Sequence, residues 1–198
     1  MEALALAVPT DATSGAVPVE LASLVAGAAA TFAAAGSHDW KAASGEVQKV
    51  TAAWDRYRTV GVPKLIEPRM MAALKALGRA VAAQNVGTSR QAAIETARSS
   101  LDIQLRYRPA AEINLARLDL WAAQVLVDAA AKDASGVNGD AFTLVYIRDR
   151  ILGSVDGANL GRLNGQILDL QLAATDHDFT AAAHAAAQLR EIVAGLQP

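Results

Sequence analysis

Two short steps, Ser37-His38-Asp39 and Asp176-His177-Asp178, hold two of the three histidines of this chain. Each brings an imidazole and a carboxylate within a few residues, and those are the ligand types that suit a divalent cation such as zinc. If the two steps meet in space, His38, Asp39, Asp176, His177 and Asp178 form a nitrogen–oxygen metal site. The aspartates also suit helix N-caps, a role that needs no metal. The third histidine, His184, shares the polar side of its helix with Thr180, Gln188 and Glu191 and reads as solvated.

A second place for chemistry is the run INLARLDLWAAQVLVDAA, where Asp119 sits among Ile113, Leu115, Leu118, Leu120, Trp121 and Val125. A helix apolar on every side is a central one. Glu112 lies seven residues earlier on the same azimuth, and Ala116 and Ala123 leave room beside that line. A buried carboxylate must be paired, hydrogen-bonded or neutralised, and the partners expected for it are Arg148 and Arg150. The group reads as a structural arginine–carboxylate network or as the polar lining of a ligand cleft. Asp102 belongs to a ladder of alternating charge with Glu95, Arg98 and Arg106, and Asp169 lies beside Arg162 and Gln166 on a polar face. Neither is assigned a function.

Other chemistries lack their residues. There is no cysteine, hence no thiolate catalysis, disulfide or cysteine–zinc site. No G-x-S-x-G elbow, phosphate loop, dinucleotide fingerprint or H-E-x-x-H helix occurs. Eighteen basic and 20 acidic residues leave a net charge of -2, which offers phosphate no electrostatic footprint and argues against nucleic acid as a partner. With 53% hydrophobic and 19% charged residues the chain is too apolar for disorder, and no uninterrupted apolar stretch reaches the length of a transmembrane segment.

The elements that must position these residues are helices. Period-2 alternation is absent, whereas apolar residues recur at three- and four-residue spacing. Starts are expected at Pro18, Asp39, Pro63 to Pro68, Thr88 or Ser89, Pro109, Ser135 to Asn138, Asp156 to Asn159 and Asp178, giving about eight antiparallel helices. The second helix buries Trp40, Val47, Val50, Trp54 and Tyr57; the last repeats that spacing 139 residues later with Phe179, Ala186, Leu189, Val193 and Leu196. Looser copies fall at Ile94, Ala97 and Leu101 and at Leu144, Ile147 and Ile151. The chain therefore reads as four helical hairpins repeating at roughly 42 to 50 residues, near the period of HEAT-type repeats. A closed helical bundle and a short open α-solenoid both satisfy that pattern. Gly157, Gly161 and Gly165, spaced by four, are expected to let two helices approach closely, and Tyr107 and Arg108 to close a hairpin corner ahead of Pro109.

Residues 1–17, with Pro9, Gly15 and a scatter of polar residues, read as a flexible arm before a single all-helical domain spanning 18–198. An arm of this kind follows a secretion signal or lipid anchor, which points to an extracytoplasmic location. The expected function is a non-enzymatic interaction domain that binds a protein partner or a small ligand. The alternative is an extracytoplasmic carrier of a divalent metal or small ligand.

Overall fold

A computed structural model describes residues 16–196; most of the expected arm, residues 1–15, lies outside the described residues. Eight α-helices follow one another: α1 (Val19–Gly36), α2 (Trp40–Tyr57), α3 (Ile66–Ala82), α4 (Val86–Gln104), α5 (Ala110–Ala131), α6 (Ala134–Asp149), α7 (Gly157–Thr175) and α8 (Phe179–Ala194). No strand occurs among the described residues.

One turn is used four times. His38, Gln84, Lys132 and His177 each take a left-handed conformation, with φ between 52° and 60°, and end the helix before them. The next residue then donates its backbone N–H back over the turn: Asp39 to Ala34 O (2.9 Å), Asn85 to Ala80 O (3.2 Å), Asp133 to Asp128 O (2.9 Å) and Asp178 to Ala173 O (2.9 Å). This is the Schellman closure, which satisfies carbonyls that a helix end leaves unpaired. The same Asp or Asn also caps the following helix, its side chain accepting from the N–H of Ala42, Thr88, Gly136 and Ala181 respectively. Each left-handed residue and its capping neighbour make an αα-hairpin of α1–α2, α3–α4, α5–α6 and α7–α8.

The caps correct the register of the repeat. Helix α4 starts after Asn85 and α6 after Asp133, a few residues before the expected starts at Thr88 or Ser89 and at Ser135 to Asn138. Aligned on their caps, the equivalents of Val47, Val50 and Trp54 are Ala93, Thr96 and Ser100 in α4 and Ala141, Leu144 and Arg148 in α6. The stripes Ile94-Ala97-Leu101 and Leu144-Ile147-Ile151 are thus one and three residues out of register. Apolarity misleads in α4 because Ala92, Ala93, Ile94, Thr96 and Ala97 are all buried, so no single stripe marks its inner face. The cap-aligned positions are buried in all four hairpins: Ala43, Ser89, Val137 and Ala182, then Val50, Thr96, Leu144 and Leu189.

The hairpins close in pairs. Helix α1 packs on α2 and α4, and α3 bridges α2 and α4; in the same way α5 packs on α6 and α8, and α7 bridges α6 and α8. The result is two four-helix bundles in tandem, joined chiefly where α4 lies against α5. An apolar face that one hairpin cannot bury is covered by the next, and two hairpins suffice to close the ring.

Helix α1 is long and apolar enough to cross a membrane, with mean hydropathy 1.5 over 18 residues. Glu20, Ser23 and Thr31 interrupt it, so it passes by length and mean hydropathy and not as an uninterrupted apolar stretch. Here it is a bundle helix, with Leu21, Leu24, Ala28, Phe32 and Ala35 buried. A Cβ on its Gly27 would stand 2.4 Å from Val50 Cγ2, so glycine is what lets α1 and α2 meet there. The glycines expected to serve close approach do not: a Cβ on Gly157, Gly161 or Gly165 would meet nothing within 4 Å.

Candidate functional site at the seam between the bundles

Asp119 faces the seam between the two bundles, and its partner is Arg190 of α8. The guanidinium grips the carboxylate at both oxygens, Nε to Oδ1 at 2.8 Å and Nη2 to Oδ2 at 3.3 Å. This overturns the expected pairing with Arg148 and Arg150. Helix α5 turns this side toward α8 and the first bundle, whereas Arg148 reaches Asn164 and Asp149, and Arg150 stacks over Tyr146 with Cζ 4.9 Å from the ring centroid. Glu112 is not joined to Asp119; it takes the Nε–H of Arg108 at 2.9 Å. Phe32 of α1 lies between two guanidinium groups, Arg90 at 4.2 Å and Arg190 at 5.6 Å from its ring, so the pair is tied to both bundles. Burial lowers the pKa of Arg90, and the charge of Arg190 lowers it further.

The two histidine steps sit in different bundles, one at the α1–α2 turn and the other at the α7–α8 turn. Bundle closure pairs the first hairpin with the second and the third with the fourth, so it does not make the outer two neighbours in one ring. Among the described residues no three His, Asp or Glu side chains gather as a metal would require, and His38, Asp39, Asp176, His177 and Asp178 do not form the expected cluster. The geometry gives His38 and His177 the left-handed turn position, and Asp39 and Asp178 the cap.

Two grooves flank α4, one at the seam with α5 and one within the first bundle. One, of about 400 Å³, is walled by Ala22, Ala26 and Ala29 of α1, with Gln104, Arg108 and Asp119 opposite. The other, of about 700 Å³, lies along α3 and α4. Ala72, Ala73, Ala76 and Ala92 form its apolar floor, and Glu95, Arg98 and Asp102 are its charged side. Every charge on that side is held in place: Arg98 binds Glu95 at 2.7 Å and stacks on Trp121 at 4.1 Å, and Arg117 of α5 reaches Asp102 at 2.6 Å. Asp102 is thus a crosslink between bundles; of the expected ladder only Glu95–Arg98 pairs, and Arg106 donates to Gly61 O at 3.4 Å.

Behind the larger groove lies a polar cluster that sequence reasoning missed. Gln124 Nε2 donates to Gln91 at 2.7 Å and to Asp128 at 2.9 Å. Asp140 of α6, only 4% exposed, faces Asp128 and stands within the field of Arg98. Its pKa is pushed up to about 8, first by burial, then by the neighbouring Asp128 carboxylate. A raised pKa favours the protonated acid, and the side-chain hydrogen bond with Asp128 raises it further, while the buried Oδ2 has no other partner. Gly136 makes room for the pair, since a Cβ there would stand 2.5 Å from Asp128 Oδ2. The signal in the sequence was spacing: Val137, Asp140, Leu144 and Ile147 recur at three and four, placing Asp140 on the buried face of α6.

Tyr107 and Arg108 close the α4–α5 corner as expected: the Tyr107 and Tyr57 hydroxyls lie 3.2 Å apart, and Arg108 turns onto α5 through Glu112. Burial and the facing hydroxyl push the Tyr57 phenol pKa up. No protein-family model, curated protein or solved structure matches this chain.

Proposed function

We propose that this is a non-enzymatic binding domain, a pair of helical bundles that holds a small amphipathic ligand in the groove of the first bundle between α3 and α4. The observation that supports this reading is the groove of about 700 Å³, a volume in the range of small-molecule sites, with an alanine floor and a preset charged wall. Short alanine side chains leave the volume open. The wall supplies direction: Glu95–Arg98 and Asp102–Arg117 present both signs of charge along one edge, so a ligand with an apolar body and a polar head fits with its head on α4.

Binding rather than catalysis is supported by the pairing of the acidic groups; Arg69 of α3 lines the groove without an ionic partner among the described residues, and as a guanidinium it is a cation for a ligand rather than a base. Arg98, Glu95, Asp102 and Asp119 already have ionic partners, and Asp140 is sealed behind the groove. None is left as a free base or nucleophile facing the open volume. The test is a ligand-observed NMR screen of amphipathic carboxylates and amines against wild type and Ala72→Trp, which fills the groove from an exposed position on α3. Compounds that bind wild type should lose at least tenfold in affinity to the variant, at an unchanged melting temperature. Equal binding to both proteins overturns the reading, as does a screen without a single binder.

A further inference from the structure

The second bundle carries a large apolar surface that, among the described residues, only the Arg150 guanidinium over Tyr146 partly covers. On α6, Phe142 is 70% and Tyr146 59% exposed; on α7, Leu168 is 55% and Leu172 56% exposed. Four large side chains exposed together are well beyond the scattered single hydrophobics that any surface carries. Both helices repeat one outward pattern at i, i+4, i+7 and i+11: Ser135-Gly139-Phe142-Tyr146 on α6 and Gly161-Gly165-Leu168-Leu172 on α7. All eight positions are exposed, and none is charged. Each helix therefore shows a small half followed by a large half.

The helices run antiparallel, and two contacts fix their relative height. Asn138 Nδ2 donates to the carbonyl of Ala174, and Arg148 pairs with Asn164. Phe142 accordingly stands level with the gap between Leu168 and Leu172, and Tyr146 stands level with Gly165. The large half of α6 lies beside the small half of α7, and the reverse holds at the other end. A Cβ on Gly139, Gly161 or Gly165 would meet nothing within 4 Å, so these hollows are open to an incoming group.

We propose that this face is where a second copy of the chain docks, through a two-fold axis running between α6 and α7 and parallel to them. Such an axis lays α6 of one copy over α7 of the other without changing its height. Tyr146 then drops onto Gly165 of the partner, Phe142 enters the gap between the partner's Leu168 and Leu172, and Leu172 meets the partner's Gly139. Bumps meet hollows on both sides, as an isologous contact requires. The extent also suits a dimer: helices of 16 and 19 residues spaced about 10 Å apart present a face of about 25 by 20 Å. Two such faces cover about 1,000 Å² before side-chain relief is counted, the level at which specific association begins. A foreign partner would need bumps and hollows of its own, whereas this face already contains both halves of the fit.

Sedimentation velocity and light scattering on the full chain, from micromolar to millimolar concentration, test the proposal. Wild type is expected to form a dimer. Phe142→Lys, which puts a charge in the contact, and Gly165→Trp, which fills the hollow, are each expected to weaken dimerisation at least a hundredfold while circular dichroism and melting of the monomer stay as in wild type. Because both positions are open to solvent, neither variant is expected to disturb the fold. A wild type that stays monomeric at the highest concentration overturns the proposal. So does a dimer that both variants leave intact, or one that Ala72→Trp on the first bundle disrupts in their place.

Discussion

The two bundles share a turn, a helix count and a closure, yet they are filled differently. The second is lined almost wholly by aliphatic residues and alanine in one continuous core from Leu115 to Val193. The first is divided. Leu21, Trp54, Tyr57 and Met70 pack at one end, and Phe32, Leu77 and Ile94 at the other, where they join Ala123 and Val127 of α5. Between those ends Thr31, Thr96, Ser100 and Gln104 are buried, and each is satisfied by a backbone carbonyl: Gly27 O at 2.7 Å, Ala92 O at 2.9 Å, and Leu21 O at 3.1 and 3.2 Å. The difference follows from α4. It serves the first bundle and the seam at once, so its inner positions are small and polar where the other capped helices carry branched aliphatics. A bundle that closes only on itself can be filled with hydrocarbon; one that also carries a neighbour gives up part of its core to the shared helix.

Removing the aromatic end of the first bundle should break the comparison most. Trp54 is 1% exposed and donates its indole N–H to Met71 Sδ at 3.2 Å. Trp54→Ala is expected to cost about 3 to 5 kcal/mol in urea unfolding. Amide hydrogen exchange should rise through α1–α3 far more than through α6–α8. Equal acceleration in both bundles would show that the divided core does not make them separate units of stability.

A middle-sized effect concerns the polar group buried in the second bundle. The Asp140 pKa is about 8 in the fold, above the 3.8 of an unperturbed carboxyl. Between those values the native state holds a proton that the unfolded chain has released, so stability falls as pH rises from about 4 to about 8. Asp140→Asn keeps the shape and removes the ionisation. It should match wild type below about pH 4 and exceed it at pH 8.5 by on the order of 5 kcal/mol, read as a melting temperature higher by several degrees or more. Identical pH profiles for the two proteins would refute the raised pKa.

The smallest effect tests what the bundles have in common. Gln84 and His177 hold left-handed backbone angles without being glycine. Gln84→Gly in the first bundle and His177→Gly in the second should each stabilise by about 0.5 to 1 kcal/mol. His38→Gly should gain less, because His38 also sets its ring edge-on to Trp40 at 6.1 Å. Added zinc should leave the melting temperatures of wild type and of the His177→Gly variant unchanged. A zinc-dependent rise in wild type that the variant lacks would restore the metal site at the turns.

Much of the fold was legible because its signals are local. Asp39 and Asp178 announced their caps, and the Trp54 and Val193 stripes they anchor are buried as the spacing predicts. The candidate site was legible only in part. Asp119 was recognisable as a carboxylate in an apolar helix, yet its partner Arg190 lies 71 residues away on a helix reached only after three further connections. Asp140 lies four and seven residues before Leu144 and Ile147, in line with a stripe the spacing already marked, but nothing local distinguishes a carboxyl that is buried beside another from one on the rim of that stripe.

The sequence by itself determined about eight helices in four hairpins and the Asp39 and Asp178 caps of two of them, because an Asx cap is built from atoms within a few residues. The caps at Asn85 and Asp133 precede by a few residues the starts that the spacing predicts. Tertiary structure alone decided that the hairpins close two by two, that α4 and α5 form the seam, and that Arg190 instead of Arg148 or Arg150 reaches Asp119. The physical reason is that alanine-rich faces are nearly alike. Many pairings of such rods bury similar area, and only the assembled set of ridges, glycine gaps and charge partners selects one.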